Sequence, residues 1–120
     1  MIKILIIDDD KLIRWSLKEL FSQEGYKVDA VATVREALGL VESFPHNLIF
    51  VDLETKDENG IEMMKKIISL RPEAKIIILS AFTRQQIEPE IGELGVFSII
   101  EKPFKSEQIK SIAKQALDTK

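Results

Sequence analysis

A chain of 120 residues, 45% of them apolar, is close to the usual size of one domain, and it can withdraw roughly two thirds of its unfolded surface from water without a covalent staple. It has no cysteine, which excludes disulfides, thiolate metal sites and thiol nucleophiles; its formal charge of −3 comes from interspersed signs, without the basic block that marks a nucleic-acid-binding surface. No apolar stretch approaches the ~20 residues of a membrane span and the amino terminus does not read as a signal peptide, so the expectation is one soluble, cytoplasmic domain over residues 1–120, with no membrane and no direct nucleic-acid contact.

In chain order, five short apolar runs read as strands: Lys3 to Ile7, Lys27 to Val31, Leu48 to Val51, Lys75 to Leu79 and Ser98 to Ile100. Most are near-continuous Ile, Leu, Val and Phe without alternation, the pattern of strands buried on both faces of a parallel sheet. Helical patterns fill the gaps. The first sets Ile13, Leu17, Leu20 and Phe21 on one stripe and is stopped by Gly25. Thr33 and Glu36 read as a capping box for the second, and the last carries Ile109, Ile112, Ala113 and Ala116 after a Ser106 cap. The fourth is expected over about Arg84 to Leu94, where Pro89 predicts a late start or a kink. This alternation gives an α/β doubly wound domain, a five-stranded parallel sheet flanked by five helices, with its functional loops at the strands' carboxyl ends.

Those ends carry the chemistry. Asp8, Asp9 and Asp10 follow the first strand directly, and Asp52 follows the third. If the two strands are neighbours, Asp8, Asp9 and Asp52 converge where like charges repel unless a cation sits among them. Carboxylate oxygens are the ligands a hard divalent ion prefers, so Mg²⁺ there would relieve the repulsion and hold a phosphoryl group. Asp10 reads instead as a helix cap. His46, following Pro45 in a turn, reads as a solvated loop residue.

Four separated elements then make a specific pattern: Asp8-Asp9, Asp52, Ser80-Ala81 after the fourth strand, and Lys102-Pro103-Phe104 after the fifth. With them the whole chain resembles the receiver domain of two-component response regulators, the chemotaxis-regulator-like superfamily. The resemblance implies a flavodoxin-like sheet of order 2-1-3-4-5. It implies that Asp52 is the phosphoacceptor and attacks a phosphohistidine of a sensor histidine kinase. Mg²⁺ would be held by Asp8, Asp9, Asp52 and the backbone carbonyl of Glu54. Lys102 and Ser80 would stabilise the phosphoryl group, with a cis bond before Pro103. The domain would catalyse its own phosphorylation and slow hydrolysis as a signalling module rather than a turnover enzyme, changing its helix 4/strand 5 surface toward an effector domain, a downstream protein or a second copy. Arg14, Trp15 and Lys18 would project near the acidic edge where kinases of the family dock, and Ile13-Arg14-Trp15 is similar to receivers of nitrogen-regulation type activators.

The chain also departs from that pattern. Thr55-Lys56 stand where Met-Pro is common, Glu54 adds a negative charge beside the site, and Ile99 occupies the position of the family's aromatic switch. Phe97, two residues earlier, is expected on the same face as Ile99 and in the core. These departures keep a pseudo-receiver, binding partners without phosphorylation, as the alternative. A haloacid-dehalogenase-like phosphatase reading of Asp8-x-Asp10 fails because Leu12 replaces the expected Thr or Val and no acidic pair follows Lys102. A nucleotide module is disfavoured because the glycines form neither G-x-G-x-x-G nor a P-loop.

Overall fold

The computed structural model describes residues 1–53 and 60–119. Five strands, β1 (Lys3–Ile7), β2 (Lys27–Val31), β3 (Leu48–Asp52), β4 (Lys75–Ser80) and β5 (Ser98–Glu101), form one parallel sheet of order β2-β1-β3-β4-β5. Between and after them lie α1 (Lys11–Gln23), α2 (Val34–Ser43), α3 (Gly60–Leu70), α4 (Arg84–Ile91) with a 3₁₀ turn at Gly92–Leu94, and α5 (Ser106–Asp118).

Because side chains alternate along a strand, each strand feeds two cores. Leu5, Ile7, Ile49, Val51, Ile76 and Ile78 pack with α2, α3 and α4 on one face. Ile4, Ile6, Leu48, Phe50, Ile77 and Leu79 pack with Leu17 and Phe21 of α1 and Ile109, Ala113 and Ala116 of α5 on the other. Phe21 stacks on Phe50 with ring centroids 5.4 Å apart. Burying an aromatic side chain of this kind contributes roughly 2–3 kcal/mol, so the central strands are rigid supports for what they carry at their ends.

Several local expectations change. The third, fourth and fifth strands each run one residue further than the apolar run, because Asp52 pairs with Leu79 and Ser80 with Glu101; polar residues end these strands inside the ladder. The fourth helix does not start late. It begins at Arg84 because Thr83 and Gln86 make a reciprocal capping box, and Pro89 lies within it before the chain tightens at Gly92. Lys105 is the N-cap of α5 and Ser106 its first residue, so no serine cap forms there. Thr33 does cap α2, its hydroxyl accepting from the Glu36 N–H at 3.1 Å. Gly25 ends the first helical segment at φ +91°, a left-handed conformation that a Cβ would strain. Phe97 lies before β5 rather than in it, escapes strand alternation and packs on the α1/α5 side, opposite Ile99.

His46 overturns its reading as a solvated residue. It is buried, and its Nε2 lies 2.8 Å from Asp29 Oδ2. Asp29 pairs in register with Leu5 and so faces the α2 side of the sheet; its half-exposed carboxylate on the edge strand β2 gives the imidazole its partner. Beside it, Asn47 Oδ1 accepts the Lys3 N–H at 2.9 Å and ties the chain entering β3 to β1.

Candidate phosphoacceptor site

The sheet order places β1 and β3 side by side, so their carboxyl ends deliver acidic residues to one spot. One carboxylate oxygen from each of Asp8, Asp9 and Asp52 lies within 4.8 Å of the others. Asp8 and Asp52 are buried, whereas Asp9 is exposed at the rim. Three consecutive aspartates thus take three different positions. Asp8 turns inward, its Oδ1 accepting the Asp10 N–H at 2.9 Å. Asp9 faces the cluster from outside. Asp10 caps α1, accepting from the N–H groups of Leu12 at 2.8 Å and Ile13 at 3.3 Å, as its position before the helix leads one to expect.

Lys102 comes from the far side of the sheet. Its main-chain N–H donates to the Ser80 carbonyl at 2.6 Å, which fixes the turn after β5 against the end of β4. Its ammonium then reaches Asp8 Oδ2 at 3.0 Å and Asp52 Oδ2 at 3.1 Å. The bond from Lys102 to Pro103 is cis, as the sequence resemblance implies. Ser80 is buried at the end of β4, and its Oγ accepts the Phe82 N–H at 2.9 Å. Arg14 does not simply project outward: its Nη1 donates to the Asp8 carbonyl at 2.8 Å, leaving Trp15 and Lys18 as the exposed members of that helix surface. This role is hidden in the sequence, since its only signal is an arginine in the first turn of a helix that starts just beyond an acidic strand end. Glu54, Thr55 and Lys56 lie outside the described residues.

The electrostatics follow from burial. Removal from water pushes the Asp8 carboxyl up to about 6 from an ordinary value of 3.8, and the charge of Asp52 pushes the same way; the Asp10 N–H and the Lys102 ammonium pull against them. Burial alone would depress Lys102, but its hydrogen bonds and attraction to Asp8 and Asp52 outweigh that and hold it above the ordinary lysine value. Among the described residues, one ammonium therefore meets two of the three clustered carboxylates. A donor set of clustered hard oxygens with surplus negative charge fits a divalent cation of the Mg²⁺ type.

A family model described as the response regulator receiver domain matches residues 4–114. This chain belongs to that family. The receiver domain is 32% identical over 118 residues to the sporulation initiation phosphotransferase F of Bacillus subtilis, covering 98% of this chain and 95% of that one. A CheY-like receiver domain protein of Methanospirillum hungatei superposes with a TM-score of 0.91 at 31% identity, over 98% of this chain and 94% of that one. A response regulator protein of Thermotoga maritima, determined in complex with Mg²⁺ and BeF, gives a TM-score of 0.84 at 30% identity, over 98% of this chain and all of that one. The sheet order 2-1-3-4-5 with five flanking helices is the CheY-like, flavodoxin-like fold. Receiver domains are the phosphoaccepting signalling domains of two-component response regulators, working with histidine kinases and effector domains. No helix among the described residues is long and apolar enough to cross a membrane.

Proposed function

We propose that residues 1–120 act as one receiver domain in which Asp52 accepts a phosphoryl group from a histidine kinase, with Mg²⁺ held by Asp8, Asp9 and Asp52. The observation that carries this reading is the meeting of Asp8, Asp9 and Asp52 under the Lys102 ammonium. A Mg²⁺ ion bound there would offset charge on the phosphoryl oxygens. A carboxylate oxygen of Asp52 forms the new P–O bond as the P–N bond to the donor imidazole breaks; the imidazole leaves with the electron pair and takes up a proton. Strand β3, buried throughout, holds the nucleophile still at its end, so little orientation remains to be fixed during the reaction. Lys102, already 3.1 Å from Asp52 Oδ2, neutralises the carboxylate beforehand and is placed to follow the charge onto a phosphoryl oxygen.

Ser80 links the site to the surface. Its oxygen accepts from Phe82, and its hydroxyl is the donor that would turn to a phosphoryl oxygen on Asp52. The chain after it runs through Ala81 and Phe82 to Thr83, the cap of α4, and a shift of Ser80 pulls on that cap. The α4/β5 surface that would respond holds a depression of about 620 Å³ lined in part by Arg84, Pro89, Phe97 and Ile99. Ile99 lacks the hydroxyl or ring of an aromatic switch, which favours movement of α4 itself over rotation of a side chain.

Incubation with a small phosphodonor or BeF₃⁻ and Mg²⁺, followed by intact mass and by titration of structural change, tests the reading. The expected result is a mass gain of one phosphoryl group from the donor in wild type and none in Asp52→Asn. No gain in either protein, with Mg²⁺ bound, would favour the phosphorylation-independent pseudo-receiver.

A further inference from the structure

Arg14 has no part in the transfer just described, yet it is built into the turn that presents the acidic residues. Strand β1 ends at Ile7, so the Asp8 carbonyl has left the regular strand, and a half-buried main-chain acceptor there needs a donor from elsewhere. Arg14 supplies it at 2.8 Å, from a residue whose own N–H is tied to the Asp10 carbonyl at 3.0 Å. These two bonds grip the turn on both sides of Asp9. The same turn is held from below by the Asp8 N–H on the Val31 carbonyl at 3.1 Å, and across its mouth by the Asp10 N–H on Asp8 Oδ1. Asp9 itself is exposed, and its carboxylate meets those of Asp8 and Asp52 because the main chain flanking it is fixed. The contrast with Lys102 is chemical. Lys102 sits on carboxylate oxygens of Asp8 and Asp52, whereas Arg14 donates to a carbonyl and leaves those oxygens for an ion.

We infer that Arg14 is a positioning residue for the acidic cluster: its bond to the Asp8 carbonyl holds the turn in the shape that lets Asp9 join Asp8 and Asp52 around a divalent cation. This rests on the Mg²⁺-binding part of the function proposed above. The sign of the effect separates positioning from simple electrostatics. By charge alone, a guanidinium near a cation site repels the ion, so Arg14→Met, which keeps much of the length but removes charge and donor, would tighten Mg²⁺ binding. Positioning has the opposite consequence. Binding weakens about ten- to hundredfold, the size typical when a group that orients metal ligands is removed.

The test is calorimetric titration of the whole chain with MgCl₂ alone, for wild type, Arg14→Met and Arg14→Lys, with thermal unfolding as a check of folding and amide exchange at Asp10 in metal-free protein. Arg14→Met is expected to bind Mg²⁺ more weakly and to exchange faster at Asp10. Arg14→Lys, which restores a donor of similar reach, is expected to recover most of the affinity; recovery no better than Arg14→Met would overturn the hydrogen bond as the cause. Arg14→Ala, which also lacks the donor, replaces Arg14→Met if the latter does not fold. Unchanged or tighter binding in the donor-less variant would overturn the inference while the metal reading stands. Absence of Mg²⁺ binding by wild type would remove both.

Discussion

Two polar groupings, each partly buried, lie against the apolar sheet, and they are resolved differently. Away from the acidic edge, buried His46 and half-exposed Asp29 meet one to one at 2.8 Å on the α2 side of the sheet. At the carboxyl edge, Asp8, Asp9 and Asp52 gather where, among the described residues, Lys102 alone brings an ammonium to Asp8 and Asp52. The first matches one imidazole with one carboxylate and serves the fold. The second carries surplus charge of one sign, which a bound cation could balance. The balance of partners, rather than burial as such, separates a structural contact from a working one.

Removing Lys102 should break this comparison most severely. In Lys102→Met, buried carboxylates lose their compensating charge, a loss that typically costs about 3–5 kcal/mol; denaturant unfolding in the absence of metal measures it. Saturating Mg²⁺ should restore part of the stability but not the yield of phosphorylated protein, since the ion compensates the carboxylates without replacing the ammonium on the phosphoryl group.

A milder perturbation is proton uptake by Asp8. Its folded pKa of about 6 lies above the ordinary 3.8, so between those values the folded chain binds more protons than the unfolded one. Without metal, stability should therefore fall as pH rises from about 4 to about 6, by at most roughly 3 kcal/mol, and level off above. Mg²⁺ needs the carboxylate, so its affinity should drop as pH falls below about 6 and its binding should release protons there. A chemical-denaturation series at several pH values, with and without Mg²⁺, reads both slopes; a flat metal-free profile would contradict the burial argument.

The smallest effect is expected at the matched pair. His46→Ala leaves Asp29 without its partner and a gap beneath α2, costing about 2 kcal/mol, yet phosphoryl uptake by Asp52 should be unchanged when measured by intact mass below the unfolding temperature. A loss of uptake in folded His46→Ala would show that the two groupings are coupled through the sheet.

How much of this was readable beforehand depends on the range of the interaction. Continuous apolar runs announced both-face burial, and acidic residues after the first and third runs announced a common site, because strand order turns two distant ends into neighbours. The cap formed by Asp10 was equally plain, being settled within three residues. What escaped notice depends on tertiary company. His46 was misread because nothing in Pro45-His46-Asn47 tells that Asp29 will lie beside it. Phe97 was put on the wrong face because alternation holds only inside a strand, and β5 starts one residue later. Of the late start or kink that Pro89 suggests in α4, the late start does not occur, because Thr83 and Gln86, three residues apart, form a quieter signal that wins locally and starts the helix at Arg84. Arg14 went unrecognised for its carbonyl contact because its partner is a main-chain atom, which no residue type reveals.

The reach of Lys102 has a further consequence. It joins partners 94 and 50 positions earlier in the chain, so a nascent polypeptide emerging from the ribosome carries both aspartates long before the lysine that compensates them has been synthesised. Until that last turn docks, the acidic edge works against compaction, and contacts this distant in sequence are entropically slow to form. The charge of the acidic edge is thus compensated by Lys102 only once the turn after β5 has been made and docked against it.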